Sequence, residues 1–382
     1  MRILHVIPTL GPGGAERVAV DACRALAKKG ATPQLLVFRA ENSYSALTTD
    51  VDVVVKPASF IPRFRLKPSA DTAGLAQHVE AWKPDVIHTH LFVADFVTRS
   101  LGYRGPVYIS HAHGPSTPME KRHILPLSKR ELTDRLERAL ILKWYRNLGN
   151  HFIAVSDAMK EYLLGILPAR LQQISLLPNA VDLERFVPRV GKNAGGEFRL
   201  VTAGRLDARK NQRFLIAVLA ELLRRGVEAT LHILGDGPDR GALEALSREG
   251  SVQDHVSFHG TVPDVERHFQ DADVYLHAAR AEPFGLTLLE AMACGLPVVC
   301  LDGGGNRDFV RDGINGFLLE SEDVSVFADR VHALLADAQM RAQQASQALV
   351  EAQRHGLDDY GDRLLALYSR LRSAGVPGVQ RI

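Results

Sequence analysis

Apolar residues along this chain occur in two patterns. Short runs bounded by glycine, proline or charge alternate with longer stretches in which apolar positions recur every three or four residues. The first pattern reads as strand covered on both faces, the second as amphipathic helix. Strands are expected at 2–7, 33–38, 51–55, 85–88, 106–110, 151–155 and 173–177, with helices at 15–29, 70–81, 92–101, 131–148 and 157–166. A second series predicts strands at 197–203, 228–234, 255–258, 272–276 and 297–301. Its helices fall at 211–225, 239–248, 285–294, 323–336, 338–353 and 358–373. Alternation of this kind predicts an α/β class with parallel sheets. Between the two series, Leu177-Pro178-Asn179-Ala180-Val181-Asp182 leads into a stretch with Pro188, Gly191, Gly195 and Gly196, which reads as a linker. The 382 residues suit two doubly wound domains, one over 1–184 and one over 185–357, with a cleft at the carboxyl ends of their strands.

Composition narrows the class. With 46% hydrophobic and 24% charged residues, the chain has the make-up of a globular protein with a large core. Three cysteines, Cys23, Cys294 and Cys300, lie in apolar surroundings and read as reduced thiols. No run reaches the roughly 18 uncharged apolar residues of a membrane span. The opening Met1-Arg2-Ile3-Leu4-His5-Val6-Ile7-Pro8 reads as a strand and not as a secretory leader, so a cytoplasmic location is expected. Residues 1–180 carry 23 Lys and Arg against 15 Asp and Glu, whereas 181–382 carry 23 against 29. This asymmetry favours an anionic partner for the first half, such as a phosphorylated acceptor or a lipid headgroup, but a solvated cationic surface explains it equally well. Nothing in the chain points to nucleic acid.

Candidate chemistry concentrates in the second half. Glu282 and Glu290 flank Pro283-Phe284-Gly285 and the start of an apolar helix. Glu282 falls in the loop before that helix and Glu290 in its second turn, with free backbone N–H groups between them at the positive end of the helix dipole. That set suits a sugar nucleotide: carboxylates for sugar and ribose hydroxyls, N–H groups for a diphosphate. Glu290 lies among Leu288, Leu289, Ala291 and Met292, where a merely solvated charge would be out of place. Upstream, Gly204-Arg205-Leu206-Asp207-Ala208-Arg209-Lys210 follows a strand and enters a helix, and Arg205 and Lys210 can neutralise a diphosphate leaving group. Gly11-Pro12-Gly13-Gly14-Ala15-Glu16 partly matches a dinucleotide-binding turn, but Glu16 stands where the third glycine belongs. His88-Thr89-His90 and His111-Ala112-His113 place two pairs on single strand faces, so a four-histidine metal site has to be weighed. Without a cysteine or an evident carboxylate ligand beside them, no metal is assigned.

The Glu282-x7-Glu290 motif, together with Gly204-Arg205…Lys210, resembles the retaining GT-B glycosyltransferases of family 4, also called group 1, over nearly the whole chain. The resemblance implies two Rossmann-like domains, with the last helix, 358–373, returning to pack on the N-terminal one. It implies Glu282 on the donor sugar, Glu290 on the ribose, Arg205 and Lys210 on the diphosphate, and Phe284 and Gly285 shaping the turn. Gly204, Gly13 and Gly14 would border the donor and Glu16 the acceptor. His113, with His111 as the alternative, would be the cleft histidine near the transferred sugar. The Pro-Asn-Ala-Val-Asp stretch at 178–182 departs from the family's pattern at Ala180, where glycine is usual. Gly303-Gly304-Gly305-Asn306-Arg307-Asp308 departs at Arg307-Asp308, where Pro-Glu is usual.

The expected reaction is transfer of a hexosyl unit from a nucleoside diphosphate sugar to a sugar or lipid-linked acceptor in cell-envelope glycan assembly. Neither a cofactor nor a metal is expected. The basic helix over 131–148, with its apolar stripe of Leu132, Leu136, Ala139, Leu140, Lys143 and Trp144, and the loop Phe60, Arg63, Phe64, Arg65, Lys67 are candidates for peripheral contact with an anionic membrane. An ordinary sheet-covering helix explains the first as well. The competing functions are a sugar-nucleotide epimerase or phosphorylase of the same fold, a non-catalytic binding protein, and an NAD-dependent oxidoreductase.

Overall fold

The computed structural model describes residues 1–63, 68–119, 128–189 and 197–374. They divide into two units, Met1–Asn179 joined by the segment from Leu357 onward, and Ala180–Gly356. The first unit runs β1 (Arg2–Ile7), α1 (Gly14–Lys28), β2 (Thr32–Val37), β3 (Val53–Val55), β4 (Ser59–Ile61), β5 (Ser69–Asp71), α2 (Ala73–Trp82), β6 (Val86–His90) and α3 (Phe92–Ser100). It continues with β7 (Val107–Ala112), α4 (Lys129–Leu148), β8 (His151–Ala154), α5 (Asp157–Ile166) and β9 (Ile174–Leu176). Its seven-stranded sheet has the order β3-β2-β1-β6-β7-β8-β9 and is parallel throughout.

Parity along the central strands explains their unbroken hydrophobicity. Leu4, Val6 and Leu36 join one core with Leu75, Val79 and Val97, while Ile7, Leu35 and Val37 face Ala19, Val20 and Cys23 of α1. Both sheet faces are covered, as parallel sheets require.

The second unit runs β10 (Phe198–Ala203), α6 (Gln212–Arg224), β11 (Ala229–Leu234), α7 (Arg240–Glu249), β12 (Val256–Gly260), α8 (Val265–Asp271) and β13 (Val274–His277). It closes with α9 (Leu286–Ala293), β14 (Val298–Leu301), β15 (Gly316–Leu319), α10 (Val324–Ala336) and α11 (Ala338–Gln353). The sheet order is β12-β11-β10-β13-β14-β15, again parallel. A single core fills it, with Phe214, Leu215 and Leu219 of α6 and Phe327 and Val331 of α10 packed on strand residues Leu200, Leu231 and Val299.

The last helix, α12 (Leu357–Ser373), belongs to the first unit, where it packs along α1. Tyr360, Leu364, Leu367 and Tyr368 are buried there, and Lys29 pairs with Asp362 at 2.7 Å.

Three details depart from the sequence expectation. The helix expected at 70–81 starts only at Ala73, because Ser69–Asp71 pairs antiparallel with Ser59–Ile61 in a separate hairpin. Proline on each side of the loop, at 62 and 68, favours that extended backbone. The short elements α8 and β15 were not foreseen, since seven and four residues are too few to display a period. The stripe assigned to α4 is also misplaced: Ile141, Leu142, Tyr145 and Leu148 are its buried residues, whereas Leu132 is 40% exposed. A buried polar group redirects the helix. Asp95 accepts from Arg99, Ser110, Thr89 and the Tyr145 hydroxyl, at 2.6 to 2.9 Å, which draws Tyr145 inward. Gly191, Gly195 and Gly196 of the expected linker, and Phe64, Arg65 and Lys67 of the candidate membrane-contact loop, lie outside the described residues.

Candidate active site

In each unit the chain winds outward in both directions from one line in the sheet, between β1 and β6 and between β10 and β13. Loops leaving neighbouring carboxyl ends diverge at such a line and open a crevice that takes ligands. The sequence-expected residues of the second unit sit there. Gly204, Arg205 and Lys210 follow β10, and Glu282, Phe284 and Gly285 follow β13.

Two of them touch. Lys210 Nζ lies 2.5 Å from Glu282 Oε2, and His277 Nε2, on the last residue of β13, lies 3.0 Å from the same oxygen. Glu282 is only 8% exposed. Burial alone would push its carboxyl up, but the hydrogen bond from His277 and the charge of Lys210 overcome it and hold the group at about 2. His277 is itself driven downward by burial, partly offset by Glu282, so it stays a neutral donor.

The backbone of Glu282 is clamped as well. Its N–H donates to Gly303 O and its carbonyl accepts from Gly305 N–H, each at 2.8 Å. A Cβ on Gly305 would stand 2.0 Å from Pro283 O, so this turn lies flat on the carboxylate loop and admits no side chain. Asp302 ties down Arg307 beside it. The turn therefore braces Glu282.

Gly285 caps α9 at φ 99°, a left-handed conformation that glycine adopts at low cost, and it brings no side chain to cap the first N–H groups of the helix. Phe284 is 3% exposed and packs on Phe309, so only its backbone can meet a ligand. Glu290 is 7% exposed within α9. Burial raises the pKa of the Tyr275 hydroxyl, and Glu282 and Glu290 both push it further up, which puts the two carboxylates within electrostatic reach of one residue. Arg205 is no part of this pair: its side chain is 60% exposed and lies 3.6 Å from Asp207.

In the first unit, Gly13 and Gly14 lead into α1. Tyr44 grips this turn, accepting from Gly13 N–H at 3.0 Å and donating to Gly13 O at 2.7 Å. Glu16, in the first turn of α1, lies against Gly13, and burial raises its pKa. His113, half-buried just past β7, stacks on His111 with ring centroids 4.2 Å apart and hydrogen-bonds His90 at 2.8 Å. His111 is buried and faces His88 at 3.2 Å. Behind them His5 meets His90 at 2.9 Å, and His88 meets the Tyr368 hydroxyl of α12 at 2.6 Å. Burial lowers the pKa of all five rings, so they are neutral.

Sequence reasoning missed His277, His5 and Tyr44. The first two carried a usable signal, a polar residue inside or ending an otherwise apolar strand. Tyr44 lies in an irregular loop and carried none.

Two parallel doubly wound units with a paired acid and base at a switch point define a two-domain α/β enzyme of the GT-B architecture, and comparison with known proteins identifies the family. The model for glycosyl transferases group 1 matches residues 185–350, and that for Glycosyltransferase Family 4 matches residues 12–185. The chain belongs to the group 1 glycosyltransferases and is a glycosyltransferase. It is 29% identical to a D-inositol 3-phosphate glycosyltransferase of Xylanimonas cellulosilytica, an alignment covering 97% of this chain and 96% of that one. It is 34% identical to a GDP-mannose-dependent alpha-(1-6)-phosphatidylinositol monomannoside mannosyltransferase of Mycolicibacterium smegmatis over 52% of this chain and 56% of that one. Among solved structures, Anabaena Alr3699/HepE in complex with UDP-glucose has a TM-score of 0.78 at 21% identity, covering 97% of this chain and 100% of that one. Among the described residues, no helix is long and apolar enough to cross a membrane.

Proposed function

We propose that this protein is a retaining, metal-independent hexosyltransferase that uses a nucleoside diphosphate sugar, a UDP-sugar foremost, to glycosylate an acceptor hydroxyl. One observation carries the reading: a carboxylate held ionised by Lys210 and His277 at the switch point of the second unit. An anionic acceptor at rest is what donor sugar hydroxyls need, and a cation beside it is what a diphosphate needs.

In this reading Glu282 accepts hydrogen bonds from the sugar, Glu290 from the ribose, and Lys210 and Arg205 meet the diphosphate with the N–H groups of Gly285 and α9. The bond between the anomeric carbon and the phosphate oxygen breaks, and the nucleoside diphosphate leaves with the electron pair. The acceptor oxygen attacks from the same face, and its proton passes to the departing phosphate. Lys210, Arg205 and the helix N-terminus offset the developing charge, so no divalent ion is required. Gly13 and Gly14 border the donor, and Glu16 and His113 serve the acceptor side. The basic first half, and the inositol phosphate in the name of the Xylanimonas relative, support a phosphorylated acceptor, free or lipid-linked, in cell-envelope glycan assembly at the inner face of the membrane.

The test is nucleoside diphosphate release from UDP-, GDP- and ADP-sugars, with EDTA, by wild type and Glu282→Ala. Release from one donor, insensitive to EDTA and lost in the variant, supports the reading. Absence of hydrolysis and of binding for every donor overturns it, and NAD(H) and sugar phosphates are then the ligands to test.

A further inference from the structure

Five buried or half-buried histidines, four on three adjacent strands and His113 just past the third, exceed what one acceptor contact needs. Register brings them together: His5 pairs with His88 across β1 and β6, and His90 with His111 across β6 and β7. His90, His111 and His113 each offer a ring nitrogen within 4.8 Å of those of the other two. His111 Nε2 is buried and has no hydrogen-bond partner among the described residues, an expensive condition for a core atom unless something binds it.

We propose that His90, His111 and His113 bind one divalent transition-metal ion of the zinc type. Imidazole nitrogens without thiolate suit Zn²⁺, Co²⁺, Ni²⁺ or Cu²⁺ and disfavour Mg²⁺ or Ca²⁺. The orphan His111 Nε2 supplies one lone pair, and His90 Nδ1 and His113 Nε2, 2.8 Å apart, supply two more once the one proton between them moves to the far nitrogen of the ring that carries it. A tetrahedral ion with nitrogens at about 2.0–2.1 Å needs them about 3.3 Å apart, so the rings part by a fraction of an ångström. The outer partners are already in place. With its proton on Nε2, His90 donates to His5 Nδ1; with its proton on Nδ1, His111 donates to His88 Nε2, which in turn donates through Nδ1 to Tyr368. Metal-bound imidazoles are commonly oriented by such a contact through their second nitrogen. His113, half-buried, is the side of the cluster open to an arriving ion. The fourth ligand is water.

The ion is not needed for transfer. Where His113 serves the acceptor as proposed, occupancy inhibits, and a chelator restores the rate.

The probe is Co²⁺ added to full-length protein stripped with EDTA. One Co²⁺ per chain, with visible absorption bands displaced by Zn²⁺, is the expected result. His111→Gln abolishes the bands, and His5→Phe, which removes the acceptor for His90 Nε2–H, weakens binding by about 10–100-fold. His232 and His259 of the second unit stack and hydrogen-bond at 2.9 Å, and His232→Gln with His259→Gln leaves the bands unchanged. Should His111→Gln fail to fold by circular dichroism, His113→Gln, at the half-buried edge, must still weaken binding at least about tenfold. No saturable Co²⁺ signal, or a signal indifferent to His113→Gln, overturns the site. Saturable binding that leaves donor and acceptor turnover untouched upholds the metal site and removes His113 from the acceptor role.

Discussion

Lys210→Met isolates the ion pair at the centre of the site. A carboxyl held at about 2 against an ordinary value of 4.5 stabilises the fold by about 3 kcal/mol when both folded and unfolded forms are ionised. His277 and Lys210 share that effect. Because the Lys210 side chain is 26% exposed, water screens part of its charge, and a loss of about 1 to 2 kcal/mol is expected in Lys210→Met at pH 7. Glu282→Gln fixes the sign with pH. A depressed carboxyl stabilises above 4.5, and the effect drains away as pH falls toward 2. Wild type therefore loses about 1 kcal/mol between pH 5.5 and 3.5 that Glu282→Gln does not lose. Urea unfolding followed by far-UV circular dichroism measures both, with Lys210→Met/Glu282→Gln closing a double-mutant cycle. The double variant should recover stability relative to the sum of the singles by about 1 kcal/mol or more. A coupling below about 0.5 kcal/mol, or parallel pH profiles for wild type and Glu282→Gln, would refute the argument that Lys210 keeps this carboxylate ionised.

Other perturbations test the surroundings of that pair. His277→Ala removes a hydrogen bond to a charged group worth about 1.5–3 kcal/mol; donor hydrolysis should fall about 10–100-fold in kcat with little change in donor KM, the mark of a positioning residue. Gly305→Ala forces a Cβ against Pro283 O and should cost about 1–3 kcal/mol in urea unfolding, with donor hydrolysis lost in step. Asp95→Ala strands Arg99, which is 0% exposed, and should cost the first unit about 3–5 kcal/mol. Tryptophan fluorescence reads that loss, because Trp82 and Trp144 both lie in this unit.

The periodic signal was strong enough to place nearly every long element. Where a segment was long and amphipathic, as at α5 and α11, sequence and structure agree to the residue. It failed where a nonlocal polar contact outweighs local pattern. Nothing near Tyr145 in sequence says that Asp95 will pull it inward, so the α4 stripe was drawn a face away from the true one. The hairpin at β4 and β5 failed for a related reason: its partners are joined by a proline-flanked loop and share no long run. In the site, residues belonging to recognisable turns were legible, as Glu282 and Lys210 show. His277 offered the signal of a polar residue ending an apolar strand, but its partner is set only when the next loop folds back on it.

The resting contact between Lys210 and Glu282 has a consequence for substrate binding. The same ammonium cannot serve the carboxylate fully and a diphosphate at once, so in the proposed reading donor phosphate draws Lys210 off and frees Glu282 for the sugar hydroxyls. A nucleoside diphosphate without sugar meets only the cost of that exchange, plus repulsion from a carboxylate with nothing to bind. Glu282→Gln removes both penalties. It should bind UDP more tightly than wild type, by about tenfold if the exchange amounts to about 1.4 kcal/mol, while losing turnover of the UDP-sugar. Calorimetric titration of wild type and variant with UDP, beside hydrolysis rates for the sugar nucleotide, separates the effects. Equal or weaker UDP binding in Glu282→Gln would mean that Lys210 does not leave the carboxylate for phosphate, and that Arg205 and the N-terminus of α9 hold the diphosphate without it.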